Sequence, residues 1–306
     1  MNRKTAIRVY GALSFSMLVW GLSFLAIKDA VATIPVFSLL LMRFSLAAVF
    51  LGAIALIRKR TLSLPRRDLL VLAGLSALSP VGYFLFETYG LMLTQPSHTS
   101  VIIATIPIAV TLIALVRRQE RFSWKKAAGV ALAYGGIILL ISSSANEQGA
   151  SLLGDLLVFG AVACAATRTI LSKEALRRVS PLQLTFYQFF FSLFVFGPLV
   201  TLDDPAWLAA ISPTLLLEVA FLGIACSALA YLAMHYALVR LSSTQVAVSA
   251  NLIPIVTLVA EVALFGAALG VLKVLGTLMT VSGVVATQLV RSTSAEHAAP
   301  ILPRGG

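Results

Sequence analysis

The sequence repeats itself at long range, and what repeats is apolar. The segment from Tyr83 to Thr111 runs through Tyr-Phe-Leu-Phe-Glu-Thr-Tyr-Gly-Leu to Leu91 and crosses a polar knot at Thr94, Gln95, Pro96, Ser97 and His98. It then re-enters an apolar run carrying Ile106-Pro107-Ile108. Displaced by 147 positions, the pattern returns: Tyr89 falls on Tyr236, Leu91 on Leu238, Ser97 on Thr244, and Ile-Pro-Ile on Ile253-Pro254-Ile255. Gly129 falls on Gly276 and Gly136 on Gly283. At a slightly different offset Trp20-Gly21 falls on Ala165-Ala166, Ser23 on Arg168, and Arg43-Phe44 on Gln188-Phe189. A duplication of this length restricts the chain to two like halves.

The repeating unit belongs in a membrane. Of 306 residues 59% are hydrophobic and 11% charged, and the mean hydropathy is +0.97, outside the balance of a water-soluble domain. Runs of roughly 17 to 25 apolar residues, each long enough to cross a bilayer, read as ten helices over 9–27, 36–57, 69–93, 99–116, 124–141, 152–171, 182–202, 215–238, 246–265 and 269–290. The expected fold is an all-α integral membrane protein: a first five-helix repeat over 9–141, a second over 152–290, and a disordered tail over 291–306. The run after Tyr10 lacks a small-residue cleavage site and reads as the first helix rather than a signal peptide. Cys164 and Cys226 lie inside apolar runs, where a thiol is small packing.

The net charge of +11 does not indicate nucleic acid, because Lys and Arg stand in short clusters between apolar runs. Arg3, Lys4 and Arg8; Arg58, Lys59, Arg60, Arg66 and Arg67; Arg117, Arg118, Arg121, Lys125 and Lys126; Lys173, Arg177 and Arg178; Arg240; and Arg291 all fall on one side of a ten-helix threading. The other side holds Lys28 and loops with Asn146-Glu147 and Asp203-Asp204. Basic loops stay cytoplasmic, so both termini are expected there. Five helices per half make the second half an inverted copy of the first.

Trp20-Gly-x-Ser-Phe24 in the first helix, Arg43-Phe44 in the second, and Ile-Pro in the fourth and ninth resemble the drug/metabolite transporter superfamily, EamA type. The chain is most similar there to the bacterial YddG-type exporters of aromatic and other amino acids. The resemblance covers roughly Val9 to Val290. It implies a secondary carrier of the bacterial inner membrane with a small-molecule substrate, an amino acid or related metabolite. No cofactor is implied, and a monomer suffices for the path, with a dimer open. A drug or nucleotide-sugar carrier is the alternative substrate reading. The chain departs from the family where Trp-Ala-x-Tyr is common in the second half: here stand Ala165, Ala166, Thr167 and Arg168.

Carriers of this repeat class bind substrate near the midplane between the halves, which directs attention to polar and aromatic residues sharing a helix face. Ser76, Ser79 or Pro80, Tyr83, Glu87 and Gly90 recur at helical spacing in the third helix; the same spacing also serves helix–helix contact. The matching face of the eighth helix is small and nearly apolar, which predicts a lopsided cavity with polar recognition mainly from the first half. A carboxylate at membrane depth needs a partner or water. Arg43 is the expected ion-pair partner of Glu87, and a proton site is the rival role. Arg168 is a candidate for a substrate carboxylate or for snorkelling to the headgroups. Trp20, Tyr83, Tyr187 and Tyr231 are candidate aromatic walls, His235 shares the Tyr231 face, and His98 is expected to be solvated in an outer loop. Pro107 and Pro254 are the symmetric hinge candidates. Asn251, one turn before Pro254, is a candidate ligand or backbone brace. Glu261 and Lys273 are expected to pair, and Asp155 and Glu218 to sit in first helical turns.

The sequence lacks a His-Glu-x-x-His zinc pattern, a paired intramembrane aspartate motif and a Gly-Lys-Ser/Thr phosphate loop. A carrier, not an enzyme or an ATP-driven pump, is expected, without metal or nucleic acid.

Overall fold

The computed structural model describes residues 2–116, 123–143, 151–266 and 270–289. Arg117, Arg118, Arg121, Asn146-Glu147, Leu269, Val290 and the tail over 291–306 lie outside the described residues. The architecture is all-α. The helices are α1 (Arg3–Ala30), α2 (Val36–Ile57), α3 (Arg66–Leu93) and α4 (Pro96–Ile103 continuing as Ile106–Val116). After α5 (Trp124–Ser143) come α6 (Leu152–Ala175), α7 (Pro181–Leu202) and α8 (Pro213–Arg240). The last described helices are α9 (Ser243–Val248, Ser249–Asn251 and Leu252–Phe265) and α10 (Val271–Leu289). Eight of them, among the described residues, are long and apolar enough to cross a membrane; α5 and α10 carry the shorter apolar stretches Ala127–Leu139 and Val271–Ala286.

Local chemistry sets the ends. Ser180 and Ser242 open α7 and α9 with capping boxes completed by Gln183 and Gln245, satisfying amides with no partner inside the helix. Pro96, Pro181 and Pro213 occupy first-turn positions, where a missing N–H costs nothing. At the end of α2 the Arg60 amide bonds to the Ala55 carbonyl at 2.8 Å and the Lys59 amide to that of Leu56 at 3.0 Å. This is a Schellman turn, with Lys59 left-handed at φ 48°.

Two irregularities repeat with the sequence. α3 widens to a π-helix over Ala77–Gly82, and α8 does so over Phe221–Leu229; their last residues are 147 apart. α4 breaks at Ala104 and Thr105, and α9 turns 3-10 over Ser249–Asn251. Pro107 and Pro254 therefore sit in the first turn after each break, because neither can bond back to the preceding turn.

The halves interleave. α1 packs against α8 and α9, α2 against α7 and α8, α3 against α6 and α7, and α5 against α10. The α5–α10 contact is backbone to backbone. A Cβ on Gly136 would meet the Gly276 carbonyl at 2.6 Å, and one on Gly283 would meet that of Gly129 at 2.6 Å. The largest buried cluster draws on both halves. Apolar side chains such as Leu56 and Ile57, each 80% exposed, cover the outside.

Candidate functional site

α1, α2, α3, α4, α6, α8 and α9 converge on a cavity of ≈ 50 Å³ lined by Trp20, Ser23, Phe24, Arg43, Tyr83, Phe84, Glu87, Ile103, Ile106, Ala165, Arg168, Tyr231, Ala250 and Ile253. That is far below the roughly 300 Å³ at which small-molecule pockets begin, so the cavity is too narrow in this structure for a ligand of that size. Most of the lining comes from the first half. The second half adds Arg168 and Tyr231, so it supplies polar recognition as well as small side chains.

The π segment of α8 organises one wall. Its wide turn leaves the Cys226 carbonyl to accept the Trp20 indole N–H at 2.9 Å. Ser227 donates to the Leu222 carbonyl, five residues back, at 2.9 Å and accepts from Arg43 Nε at 2.7 Å. The Arg43 guanidinium also lies over the Phe84 ring, 4.2 Å from its centroid. Trp20 and Phe189 each meet Tyr231 edge-on at 5.3 Å, which fixes the tyrosine ring.

Glu87 does not pair with Arg43. Its Oε1 accepts from Tyr83 OH, one turn earlier, at 2.7 Å, and its Oε2 is buried without a hydrogen-bond partner. Arg43 is held by Ser227 and the Phe84 ring instead, so no ion pair joins the two residues although both line the cavity. Arg168 does not snorkel. It is 5% exposed, with Nη1 3.7 Å from Met234 Sδ, the guanidinium 5.1 Å from the Tyr231 centroid, and Nε unpartnered. Among the described residues no carboxylate bonds to it.

Other expected lining residues lie elsewhere. Tyr187 donates to the Leu62 carbonyl at 2.8 Å and stacks on Phe191, anchoring the α2–α3 connection. His235 Nδ1 is 2.8 Å from Thr185 Oγ1, a packing role. Ser79 is buried behind the cavity, its Oγ 3.4 Å from Tyr231 OH and its carbonyl accepting from Gln188 at 3.2 Å. Asn251 is buried between the lining residues Ala250 and Ile253. Both of its side-chain polar atoms are unpartnered, so it does not brace the α9 break. Ser76 donates to the Gln188 carbonyl, and Gly90 packs on Gly154; these two serve helix–helix contact.

The polar knot forms the first turns of α4 and the end of α3, where it meets the other half. His98 is fully buried, not solvated: its Nδ1 is 3.4 Å from Asp155 Oδ1, which also accepts from Thr94 at 2.8 Å. Asp155 stands in the first turn of α6 as expected, whereas Glu218 lies beyond the first turn of α8. Glu261 takes the Ser97 amide at 2.9 Å and pairs with Lys273 at 3.3 Å. Two lysines close helix ends in matching fashion. Lys28 donates to the carbonyls of Leu91 and Thr94 at 2.7 and 2.8 Å, and Lys173 to those of Leu238 and Leu241. A cation there satisfies orphan carbonyls and opposes the helix dipole. Lys28 and Lys173 are 145 apart, as Arg43 and Gln188 are, so the offset of the first two helices identifies the pair.

The EamA-like transporter family matches residues 8–142 and 152–289. An uncharacterized transporter of Archaeoglobus fulgidus is 29% identical over 94% of this chain and 98% of its own. A probable terminal-alkyne amino-acid exporter of Streptantibioticus cattleyicolor is 26% identical over 90% of this chain and 91% of its own. One solved crystal structure, 18% identical, superposes with a TM-score of 0.69 over 94% of this chain and 98% of that one, which speaks for the fold alone. With two matched halves, buried charges around an interhelical cavity and apolar helices throughout, the chain is a multi-pass membrane protein of the EamA-like transporter family, not an enzyme.

Proposed function

We propose that the protein is a secondary carrier of amino acids with aromatic or apolar side chains, similar to the YddG-type exporters, working by alternating access in a bacterial inner membrane. In this reading ten helices cross as two inverted repeats over 9–141 and 152–290, with both termini cytoplasmic. The observation that carries it is Arg168, a buried guanidinium with no bonded carboxylate among the described residues, on the same cavity as Glu87, whose Oε2 is unpartnered. Opposite charges with spare hydrogen-bonding capacity suit a zwitterion: Arg168 takes the carboxylate through its planar fork, and Glu87 takes the ammonium. Trp20, Phe24 and Tyr231 supply an aromatic wall for the side chain. The amino-acid name borne by the Streptantibioticus cattleyicolor relative agrees with this substrate class.

The test is counterflow in proteoliposomes, loading unlabelled amino acid and following labelled phenylalanine and methionine. Saturable uptake is expected, falling at least tenfold in Arg168→Gln and less in Arg168→Lys. Glu87→Gln is expected to raise the KM for amino acids more than for their N-acetyl derivatives, which lack the ammonium. Absence of amino-acid uptake by folded protein, or an unchanged Arg168→Gln variant, would overturn the reading.

A further inference from the structure

A second and larger concavity of ≈ 1000 Å³ lies between α1 and α2 of the first half and α7 and α8 of the second. α8 separates it from the substrate cavity. Leu229, Leu232, Ala233 and Tyr236, at helical spacing along one face, line the groove, while Tyr231 on another face lines the cavity. Phe15 and Ile54 complete an apolar floor, and Arg8, Arg58 and Arg60 stand among the lining residues. Among the described residues no acidic one lines the groove. Among the described residues these three arginine side chains have no hydrogen bond or ion pair. The Schellman turn at Lys59 reverses the chain between Arg58 and Arg60, and both remain on the groove.

We propose that this groove binds an anionic phospholipid, its phosphate among Arg8, Arg58 and Arg60 and an acyl chain along Phe15, Ile54 and Leu232. Guanidinium groups match phosphate oxygens in pairs, and three like charges close together call for a counter-anion. The apolar floor distinguishes a lipid from a free anion. Leu56 and Ile57, immediately before the arginines, are 80% exposed as side chains against acyl chains are. Basic pockets between membrane helices are the general form of such sites. The lipid touches both halves, so its occupancy bears on how they move against each other.

The test uses the full chain in detergent, titrated with phosphatidylglycerol, with phosphatidylcholine of the same acyl chains, and with glycerol 3-phosphate, reading bound lipid by native mass spectrometry and the thermal midpoint. Phosphatidylglycerol is expected to bind at least tenfold more tightly than phosphatidylcholine, and glycerol 3-phosphate to leave the midpoint unchanged. At about fivefold per arginine near a membrane surface, the triple variant Arg8→Gln/Arg58→Gln/Arg60→Gln should lose the preference. Arg66→Gln/Arg67→Gln, whose residues do not line the groove, should keep it. Should the triple variant misfold, Arg8→Gln alone is expected to show a several-fold loss. Equal binding of the two lipids, an equal shift with glycerol 3-phosphate, a preference that survives removal of the arginines, or a detergent dimer that phosphatidylglycerol does not dissociate would each overturn the proposal. Lipid binding is read without transport, so its failure and that of the carrier reading are separate.

Discussion

Ser227 is small, but the buried Arg43 depends on it. It accepts from Arg43 Nε at 2.7 Å while donating to the Leu222 carbonyl. Ser227→Ala removes both bonds and leaves a guanidinium N–H unsatisfied, a loss on the order of 1–3 kcal/mol. The expected result is a lower thermal midpoint in detergent, restored in part by Ser227→Thr; an unchanged midpoint in the alanine variant would show that Arg43 finds another acceptor. Lys59 behaves oppositely. A non-glycine residue at φ 48° is strained by about 1 kcal/mol, so Lys59→Gly is expected to raise the midpoint slightly despite losing a charge. The pairing of Glu87 was not legible in the sequence because it depends on competition. Tyr83, one turn away, reaches the carboxylate, while Ser227, 184 positions from Arg43 in sequence, takes the arginine. The burial of Arg168 was not legible either, since depth along a helix says nothing about which face the residue occupies.

Among the helices, α5 and α10 show most plainly what the repeat builds. Gly136 and Gly283 each face backbone of the partner helix, so Gly283→Ala would push a methyl into the Gly129 carbonyl and the Ala133 backbone. A cost of roughly 1–3 kcal/mol is expected for such overpacking. Gly11→Ala in α1 is the control, because nothing lies within 4 Å of a Cβ there. Equal stability of the two variants would show that α5 and α10 can separate to make room. The order of the helices, eight of the ten expected spans and the breaks near Pro107 and Pro254 were legible, because apolar length and proline chemistry act locally; α5 and α10 carry shorter apolar stretches than the sequence reading expected. The π segments were not. Pro80 marks the one in α3, but Phe221–Leu229 contains no proline, and nothing in its composition distinguishes it from regular helix.

At the scale of the whole molecule, the contact of His98 and Thr94 with Asp155 and that of Ser97 and Gln95 with Glu261 and Lys273 join the halves at one end. Exposed Arg178 and half-buried Asp68, 3.8 Å apart, join them at another place. If transport parts the halves at the buried end, a short thiol cross-linker between cysteines replacing His98 and Asp155 should stop counterflow, and reductive cleavage of a disulfide-containing linker should restore it. Undiminished counterflow in the cross-linked protein would mean that this end stays shut throughout the cycle. The matching lysines carry a different consequence. In the inverted arrangement proposed above, Lys28 and Lys173 close equivalent helix ends on opposite faces of the membrane, so the same substitution at either one unsettles opposite sides. Natural selection could then shift a carrier's resting orientation by single changes at these two positions, leaving its substrate chemistry intact. Import-leaning and export-leaning descendants of one duplicated ancestor could diverge by this route.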